Sequence, residues 1–145
     1  MTLRRWKFED ILRISELEKL CFPKEPWSYR LLAESFESDG FVGVLAEEDG
    51  EVIGYGSITL GYDTADIDNI AVAENFRRGG VGGAILEALV AAAKSSGKER
   101  VFLEVRVSNA PAMSLYLKHG FAGVYARQRY YTDGEDCLVM ARELA

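Results

Sequence analysis

A stretch of seven residues holds two arginines and four glycines and carries the clearest chemical signal in the sequence. It consists of Arg77, Arg78, Gly79, Gly80, Val81, Gly82 and Gly83. The apolar segment before it, Ile67 to Ala73, predicts a strand, and the alanine-rich segment after it predicts a helix. The first turn of a helix has unpaired N–H groups, glycines allow close approach to them, and arginines add forked donors. These properties favour a phosphate-binding site over a glycine-rich loop without a ligand.

The spacing of this stretch excludes two common phosphate-binding motifs. A P-loop requires a Lys-Ser or Lys-Thr pair, and none follows Gly83. A dinucleotide fingerprint requires a third glycine at the position of Ile85. What remains is an Arg-x-x-Gly-x-Gly pattern that begins at Arg77. It resembles the acyl-CoA pyrophosphate loop of the GCN5-related N-acetyltransferase (GNAT) family.

A second stretch extends this resemblance toward the C-terminus. A strand with Glu104 is followed by an Asn-x-x-Ala motif at Asn109, a Leu-Tyr pair ending at Tyr116 and a Gly-Phe pair. This order resembles the RimI-type branch of the family, the ribosomal-protein N-terminal acetyltransferases. A Pro-Trp-Ser motif around Trp27 and a Tyr-Tyr-Thr-Asp-Gly-Glu-Asp motif starting at Tyr130 resemble the same branch.

The resemblance implies that the protein is an enzyme, an N-acetyltransferase that uses acetyl-CoA as cosubstrate. It implies that Glu104 is the general base and that Tyr116 protonates the departing CoA thiolate. It also implies that Asn109 contacts CoA, together with the arginines and glycines of the loop. The backbone of Ile70, Ala71 and Val72 would bind the pantetheine arm and polarise the acetyl carbonyl. Because no Ser-His-Asp or Cys-His set is evident, direct attack in a ternary complex is favoured over an acyl-enzyme.

These residues also have purely structural interpretations. Alternation along the strand places Glu104 and Arg106 on one face, where the two would form an ion pair. Tyr116 would be a core residue with its hydroxyl at the edge, and Asn109 would cap the following helix. The resemblance favours the catalytic interpretation of Glu104 and Tyr116, whereas Asn109 can serve both purposes.

The acceptor is expected to be the N-terminal α-amine of a protein, by resemblance a ribosomal protein. An α-amine has a pKa near about 7.7–8.0 and a lysine near about 10.4, so a single glutamate more readily deprotonates the α-amine. Trp27, Tyr130 and Tyr131 are candidate substrate-binding residues for a groove that takes a peptide end. Alternatively, Trp27 belongs to the core and the tyrosines lie in a strand. Rival functions keep the fold and acetylate a lysine or a small amine, or bind CoA as a sensor without turnover.

The composition predicts one domain, residues 1–145, in a cytoplasmic protein. The net charge of −6 argues against nucleic-acid binding. No apolar run approaches the roughly 20 residues of a membrane span, and no signal core follows the N-terminal charges. Cys21 and Cys137 lack metal-binding spacing and are predicted to be buried thiols, and no metal is expected. The single histidine, His119, is predicted to be a surface residue that complements a helix dipole.

Apolar periodicity predicts the element order β-α-α-β-β-β-α-β-α-β-β. The predicted fold class is α/β, an α/β sandwich whose mixed, mostly antiparallel sheet of about seven strands is flanked by about four helices. The first helix is expected to bury Ile11, Ile14, Leu17, Leu20 and Cys21. The second is expected to begin after an N-cap at Ser28 and to carry the apolar residues Leu31, Leu32 and Phe36.

Overall fold

The computed structural model describes residues 1–144 and contains seven strands and four α-helices in the predicted order. The strands are β1 (Thr2–Arg5), β2 (Phe41–Glu48), β3 (Glu51–Leu60), β4 (Thr64–Val72), β5 (Arg100–Arg106), β6 (Ala122–Arg127) and β7 (Cys137–Glu143). The helices are α1 (Ile11–Cys21), α2 (Tyr29–Phe36), α3 (Val81–Ser95) and α4 (Ala110–Lys118). Short 3-10 turns precede α1 and α3, at Phe8–Asp10 and Glu74–Phe76.

The strands form one sheet in the order β1-β2-β3-β4-β5-β7-β6. The prediction of a mixed, mostly antiparallel sheet is confirmed, since β4 and β5 are parallel and the other neighbouring pairs are antiparallel. Pairing between β4 and β5 covers only Thr64–Asp66 and Arg100–Phe102. Because β4 continues to Val72 and β5 to Arg106, the two strands separate and leave an opening within the sheet.

Each face of the sheet has its own apolar core. Adjacent residues of β2 show this, because Val44 packs in the core under α3 and α4 and Leu45 in the core under α1 and α2. Side chains alternate between the two faces of a strand, so both faces are covered. Across residues 1–144, no helix has both the length and the apolar character that a membrane span requires.

Two residues expected on the buried faces of the first helices are exposed. Leu20 of α1 is 75% exposed and Leu31 of α2 is 44% exposed. At 3.6 residues per turn, Leu20 lies about 120° around the helix from the buried Ile14, whereas Glu18 lies only about 40° away. The buried face of α1 therefore includes Glu18, which is fully buried, and does not include Leu20.

The predicted N-caps of α2 and α4 are confirmed. Ser28 Oγ accepts a hydrogen bond from the N–H of Leu31 at 3.1 Å at the start of α2. Asn109 Oδ1 accepts one from the N–H of Ala112 at 3.2 Å at the start of α4. Gly97, with φ 77°, directly follows the C-cap of α3. These local signals mark the starts of α2 and α4 and the end of α3.

Candidate active site

The loop before α3 leaves a run of backbone amides without partners. Gly80 is the N-cap of α3 and has φ 83°, a left-handed conformation that glycine adopts without strain. No N–H group of residues 78 to 83 donates a hydrogen bond to another group within residues 1–144. We call these six amides the anion cradle. They lie at the positive end of a helix, so their geometry suits a phosphate group.

The two arginines of the loop have different surroundings. Arg77 turns back onto β4, where its Nε donates to the carbonyl of Val72 at 3.0 Å and its Nη2 lies 3.6 Å from Sγ of Cys21. Arg78 is exposed and forms no ion pair within the described residues. The Arg78 guanidinium is therefore open to an anion, while Arg77 holds the end of β4.

The glycines at the start of α3 keep side chains out of two different contacts. A Cβ on Gly82 would lie 3.5 Å from Leu115 and 3.6 Å from Val72, so Gly82 borders the space between α4 and the end of β4. A Cβ on Gly83 would lie 2.8 Å from Nε2 of His119, which is too close for a real contact. Gly83 is therefore required by the packing of α3 on α4. The side chain of Val81 is buried and Gly79 has no side chain. Each of these two residues therefore contributes only its backbone amide to the cradle.

His119 lies at the C-terminal end of α4 as predicted, but it is not the exposed surface residue that was expected there. Its Nδ1 lies 2.6 Å from Oε2 of Glu87 on α3, and only 21% of its side chain is exposed. Arg142 Nη1 donates to the same carboxylate at 3.0 Å and to the carbonyl of His119 at 3.0 Å. The partner comes from a distant part of the chain, which a helix-dipole argument does not consider. Cys21, expected to be buried, is partly exposed, whereas Cys137 is buried as predicted.

The open edge of β4 presents backbone groups of Ile70 and Val72. The N–H directly after Val72 donates to a β3 carbonyl at 2.8 Å, and hydrogen-bonded residues alternate along an antiparallel pair. Ala71 therefore bonds to β3, while Ile70 and Val72 face the opening. Because the N–H of Ile70 donates to Oδ1 of Asn69 at 3.0 Å, the N–H of Val72 is the donor that remains available.

Tyr116 of α4 lies in the core on the α3 face of the sheet. It is 9% exposed and packs edge-to-face against Phe121, with the ring centroids 6.0 Å apart. Burial raises the pKa of Tyr116 to about 12. The phenol therefore keeps its proton at neutral pH.

Glu104 of β5 faces the opposite side of the sheet from Tyr116. Its neighbour Leu103 packs in the same core as Tyr116, so alternation directs Glu104 toward the α1–α2 face. Its Oε1 accepts a hydrogen bond from the hydroxyl of Tyr130 at 3.1 Å, and its Oε2 lies 3.4 Å from Nε of Arg127. The opening between β4 and β5 connects the two faces.

A cavity of about 440 Å³ adjoins Glu104. Its lining combines aromatic and charged side chains, Trp27, Phe102, Tyr125, Asp66, Asp68 and Arg127, with the aliphatic Ile67, Leu103 and Val139. Burial raises the pKa of Asp66, and the negative charge of Glu104 raises it further. Burial also raises the pKa of Asp68, although its carboxylate accepts hydrogen bonds from Ser57 and Thr59. We call this space the acceptor cavity, because carboxylates and aromatic rings suit a cationic amine.

Two loops beside the acceptor cavity contact each other. They are the α1–α2 loop, residues 22–28, and the β6–β7 loop, residues 128–136. Glu25 of the first loop accepts hydrogen bonds from the backbone N–H of Thr132, at 2.8 Å, and from its hydroxyl. Lys24 lies 3.2 Å from Asp133. These contacts set the distance between the loops that carry Trp27 and the tyrosine pair.

Arg106 reinforces the β6–β7 loop and does not pair with Glu104. Its Nη1 lies 2.9 Å from Asp133 and 3.0 Å from Glu135, and its guanidinium covers the ring of Tyr131 at 4.0 Å from the centroid. The alternative interpretation of Glu104 as the partner of Arg106 is therefore wrong. So is the placement of Tyr130 and Tyr131 in a strand, because both lie in the β6–β7 loop.

Several residues of the site carried no local signal in the sequence. Asp66, Arg127 and Glu25 lie in separate segments, and each acquires its role from partners elsewhere in the chain. Alternation along β4 and β6 can show which side chains share a face of a strand. It does not show that β7 lies between β5 and β6 in the sheet, an arrangement that brings Arg127 of β6 near Glu104 of β5.

Comparison with known proteins identifies the class that this fold and site define. The acetyltransferase (GNAT) family matches residues 9–121. The chain belongs to this family and is an N-acetyltransferase. Acetyl-CoA is the acetyl donor that the family uses.

The alignments with two named relatives cover most of the chain. It is 37% identical over 155 residues to an N-alpha-acetyltransferase of Sulfurisphaera tokodaii, covering 98% of this chain and 92% of the relative. It is 34% identical over 119 residues to the [ribosomal protein bS18]-alanine N-acetyltransferase of Escherichia coli, covering 80% of each. The crystal structure of the ribosomal-protein-S18-alanine N-acetyltransferase from Escherichia coli matches with a TM-score of 0.91 at 30% identity, covering 99% of this chain and 94% of that one. The predicted fold and the resemblance to the RimI-type branch are confirmed.

Proposed function

We propose that this N-acetyltransferase transfers the acetyl group of acetyl-CoA to the N-terminal α-amine of a protein. The first candidate substrate is ribosomal protein bS18, which the Escherichia coli relative above carries in its name. The observation that carries the proposal is the acceptor cavity, in which Glu104 lies beside the aromatic rings of Trp27, Phe102 and Tyr125. Ribosomal proteins are made in the cytoplasm, and the proposal places the enzyme there.

Glu104 is proposed as the general base. An α-ammonium must lose its proton before its nitrogen can attack a thioester, and a carboxylate in the cavity accepts that proton directly or through a water molecule. The hydrogen bond from Tyr130 and the ion pair with Arg127 fix the position of the carboxylate. Asp66 and Asp68 add negative charge that favours entry of the cation.

The face of the sheet that α3 and α4 cover has the groups that bind and activate a CoA thioester. The anion cradle and the Arg78 guanidinium bind the pyrophosphate, and Asn109 contributes the side-chain amide that its capping oxygen leaves available. The N–H of Val72 polarises the thioester carbonyl from the open edge of β4. Tyr116 then donates its proton to the departing sulfur. With these residues the acetyl group passes directly from CoA to the amine, and no acyl group becomes attached to the protein.

The decisive experiment is acetylation of a matched peptide set. We expect a peptide with the N-terminal sequence of Escherichia coli bS18 to be acetylated on its α-amine. The same peptide with a blocked N-terminus and an internal lysine should not react. Mass spectrometry locates the acetyl group, and initial rates compare the two peptides.

Each rival function predicts a different result in this assay. Faster reaction of the blocked peptide would identify a lysine acetyltransferase. Reaction of a small amine alone would identify a small-molecule enzyme, and tight binding of acetyl-CoA without turnover of any acceptor would identify a sensor. A change of only the first three residues of the active peptide then defines the sequence preference.

Replacement of Tyr116 by Phe tests the proton donor. The change removes one oxygen and keeps the ring against Phe121, so we expect the melting temperature to stay nearly constant. A donor to the departing sulfur acts only as the C–S bond breaks, so kcat should fall about 10²-fold with unchanged affinity for acetyl-CoA. Steady-state kinetics and thermal unfolding measure the two effects.

The opposite pattern would contradict this role of Tyr116. A hydroxyl with a structural role only would cost about 1 kcal/mol of stability when removed and leave kcat unchanged. In that case a water molecule would supply the thiol proton, or CoA would leave as the thiolate and be protonated in solution.

A further inference from the structure

Glu18 is a fully buried carboxylate in the core between α1 and the sheet. Its helix neighbours Ile14 and Leu17 are apolar core residues. An ionised carboxylate is costly to bury unless hydrogen bonds replace its hydration. Burial raises the pKa of Glu18, which shows that the surroundings oppose the charge despite the hydrogen bonds it accepts. An apolar residue at this position would avoid that cost, so the carboxylate calls for an explanation beyond core packing.

Three donors from three different segments converge on this carboxylate. Oε2 accepts the backbone N–H of Trp27 at 2.9 Å, and Oε1 accepts the side-chain amide of Asn69 at 2.6 Å. The hydroxyl of Tyr55 on β3 donates to Oε1 as well. No buried side-chain nitrogen or oxygen within the described residues lacks a partner. The network is therefore complete, and it joins α1 and the α1–α2 loop to the paired strands β3 and β4.

The ends of this network lie at the two halves of the site. Trp27 lines the acceptor cavity and directly precedes the N-cap of α2, so its backbone determines the course of the α1–α2 loop. Asn69 uses its Oδ1 to accept the N–H of Ile70, on the open edge of β4. Glu18 thus connects the wall of the acceptor cavity with the strand beside which the thioester is proposed to lie.

We propose that Glu18 is a positioning residue for the acceptor, which holds the α1–α2 loop in register with the open edge of β4. The proposal rests on the function proposed above. Glu18 does not touch the reacting atoms and acts through Trp27 and Asn69. Small displacements of a wall residue lower the productive binding of an acceptor strongly, because attack requires a narrow range of geometries.

Glu18→Gln is the principal test. Glutamine has one acceptor oxygen where glutamate has two, so at least one of the three donors loses its partner. We expect KM for the peptide to rise about tenfold, in keeping with loss of a hydrogen bond to a charged group, while Kd for acetyl-CoA stays within about twofold. Amide hydrogen exchange followed by NMR should show that the Trp27 N–H loses its protection.

Ile14→Val is the matched control. Ile14 is fully buried on the same helix, one turn before Glu18, and makes no polar contact with the loop. The variant loosens the same core, and we expect it to keep the peptide KM and the protection of the Trp27 amide. An equal rise of KM in both variants would overturn the proposal in favour of general loosening, and so would an unchanged KM in folded Glu18→Gln.

Asn69→Ala keeps the proposal testable if Glu18→Gln does not fold. It leaves Glu18 with two donors, and we expect a rise in peptide KM of roughly threefold with faster exchange of the Trp27 amide. Unchanged KM and exchange would overturn the positioning role. A wild-type protein that acetylates no peptide N-terminus would instead overturn the proposed function. The exchange data would still decide whether Glu18 holds the loop.

Discussion

Glu104→Gln should lower kcat at neutral pH by roughly 10²-fold or more. Glutamine keeps the size of the side chain and can still accept the hydrogen bond from Tyr130, but it cannot take up the proton of the acceptor ammonium. Affinity for acetyl-CoA should remain close to that of the wild type, because Glu104 faces the acceptor side of the sheet. Steady-state kinetics with a bS18 N-terminal peptide and calorimetric titration with acetyl-CoA measure both quantities.

The pH dependence of this variant adds a sharper test. An α-amine with a pKa of about 7.7–8.0 is mostly neutral at about pH 9 and no longer needs a base. The deficit of the variant should therefore shrink as the pH rises from about 7 to about 9. With a lysine acceptor, whose pKa is about 10.4, the deficit should persist over the same range.

Asp66→Asn is the control for charge. It removes one negative charge from the same cavity without removing the proposed base. We expect it to raise KM for a cationic peptide and to change kcat by less than about threefold. If both variants lose the same amount of kcat, the effect of Glu104 is electrostatic and the assignment of the base is wrong.

Gly82→Glu should abolish measurable binding of acetyl-CoA in a folded protein. The position is in the first turn of α3 and borders the space between Val72 and Leu115, so a longer side chain enters the proposed path of the cofactor. Its carboxylate would occupy the positive end of the helix and repel a pyrophosphate. A negative charge in the first helical turn favours the helix, so folding should be preserved.

Two variants at the same glycine separate charge from volume. Gly82→Ala adds only a Cβ at ordinary contact distance from its neighbours and should retain most of the affinity. Gly82→Gln has the size of the Glu variant without its charge and should bind more weakly than Gly82→Ala but more tightly than Gly82→Glu. Unchanged affinity in folded Gly82→Glu would show that the cofactor lies elsewhere.

Gly80 is less suitable for this test. Its φ of 83° is left-handed, so any side chain there costs about 1 kcal/mol in backbone strain in addition to its effect on a ligand. Gly80→Glu should therefore lose both stability and affinity, and thermal unfolding should show the first loss. The loop needs glycine at position 80 for its conformation, whereas position 82 has room for a Cβ and is the cleaner place to test the ligand.

The sequence by itself determined the features that depend on neighbours along the chain. The anion cradle, the caps at Ser28 and Asn109 and the order of strands and helices all arise from interactions over a few residues. Residue types and spacing decide such interactions, because the geometry of a helix turn or a strand is the same in every fold.

Only the tertiary structure decided which distant groups meet. Glu25 and Thr132 are 107 positions apart, and Glu18 and Asn69 are 51 apart. Apolar periodicity predicts which face of a helix is buried, and it assigns a leucine to that face before a glutamate. In α1 the glutamate, Glu18, is buried and Leu20 is exposed. Partners of this kind depend on the packing of α1 on the sheet and on the separation of β4 from β5. Those arrangements follow from the whole core at once and not from any one segment.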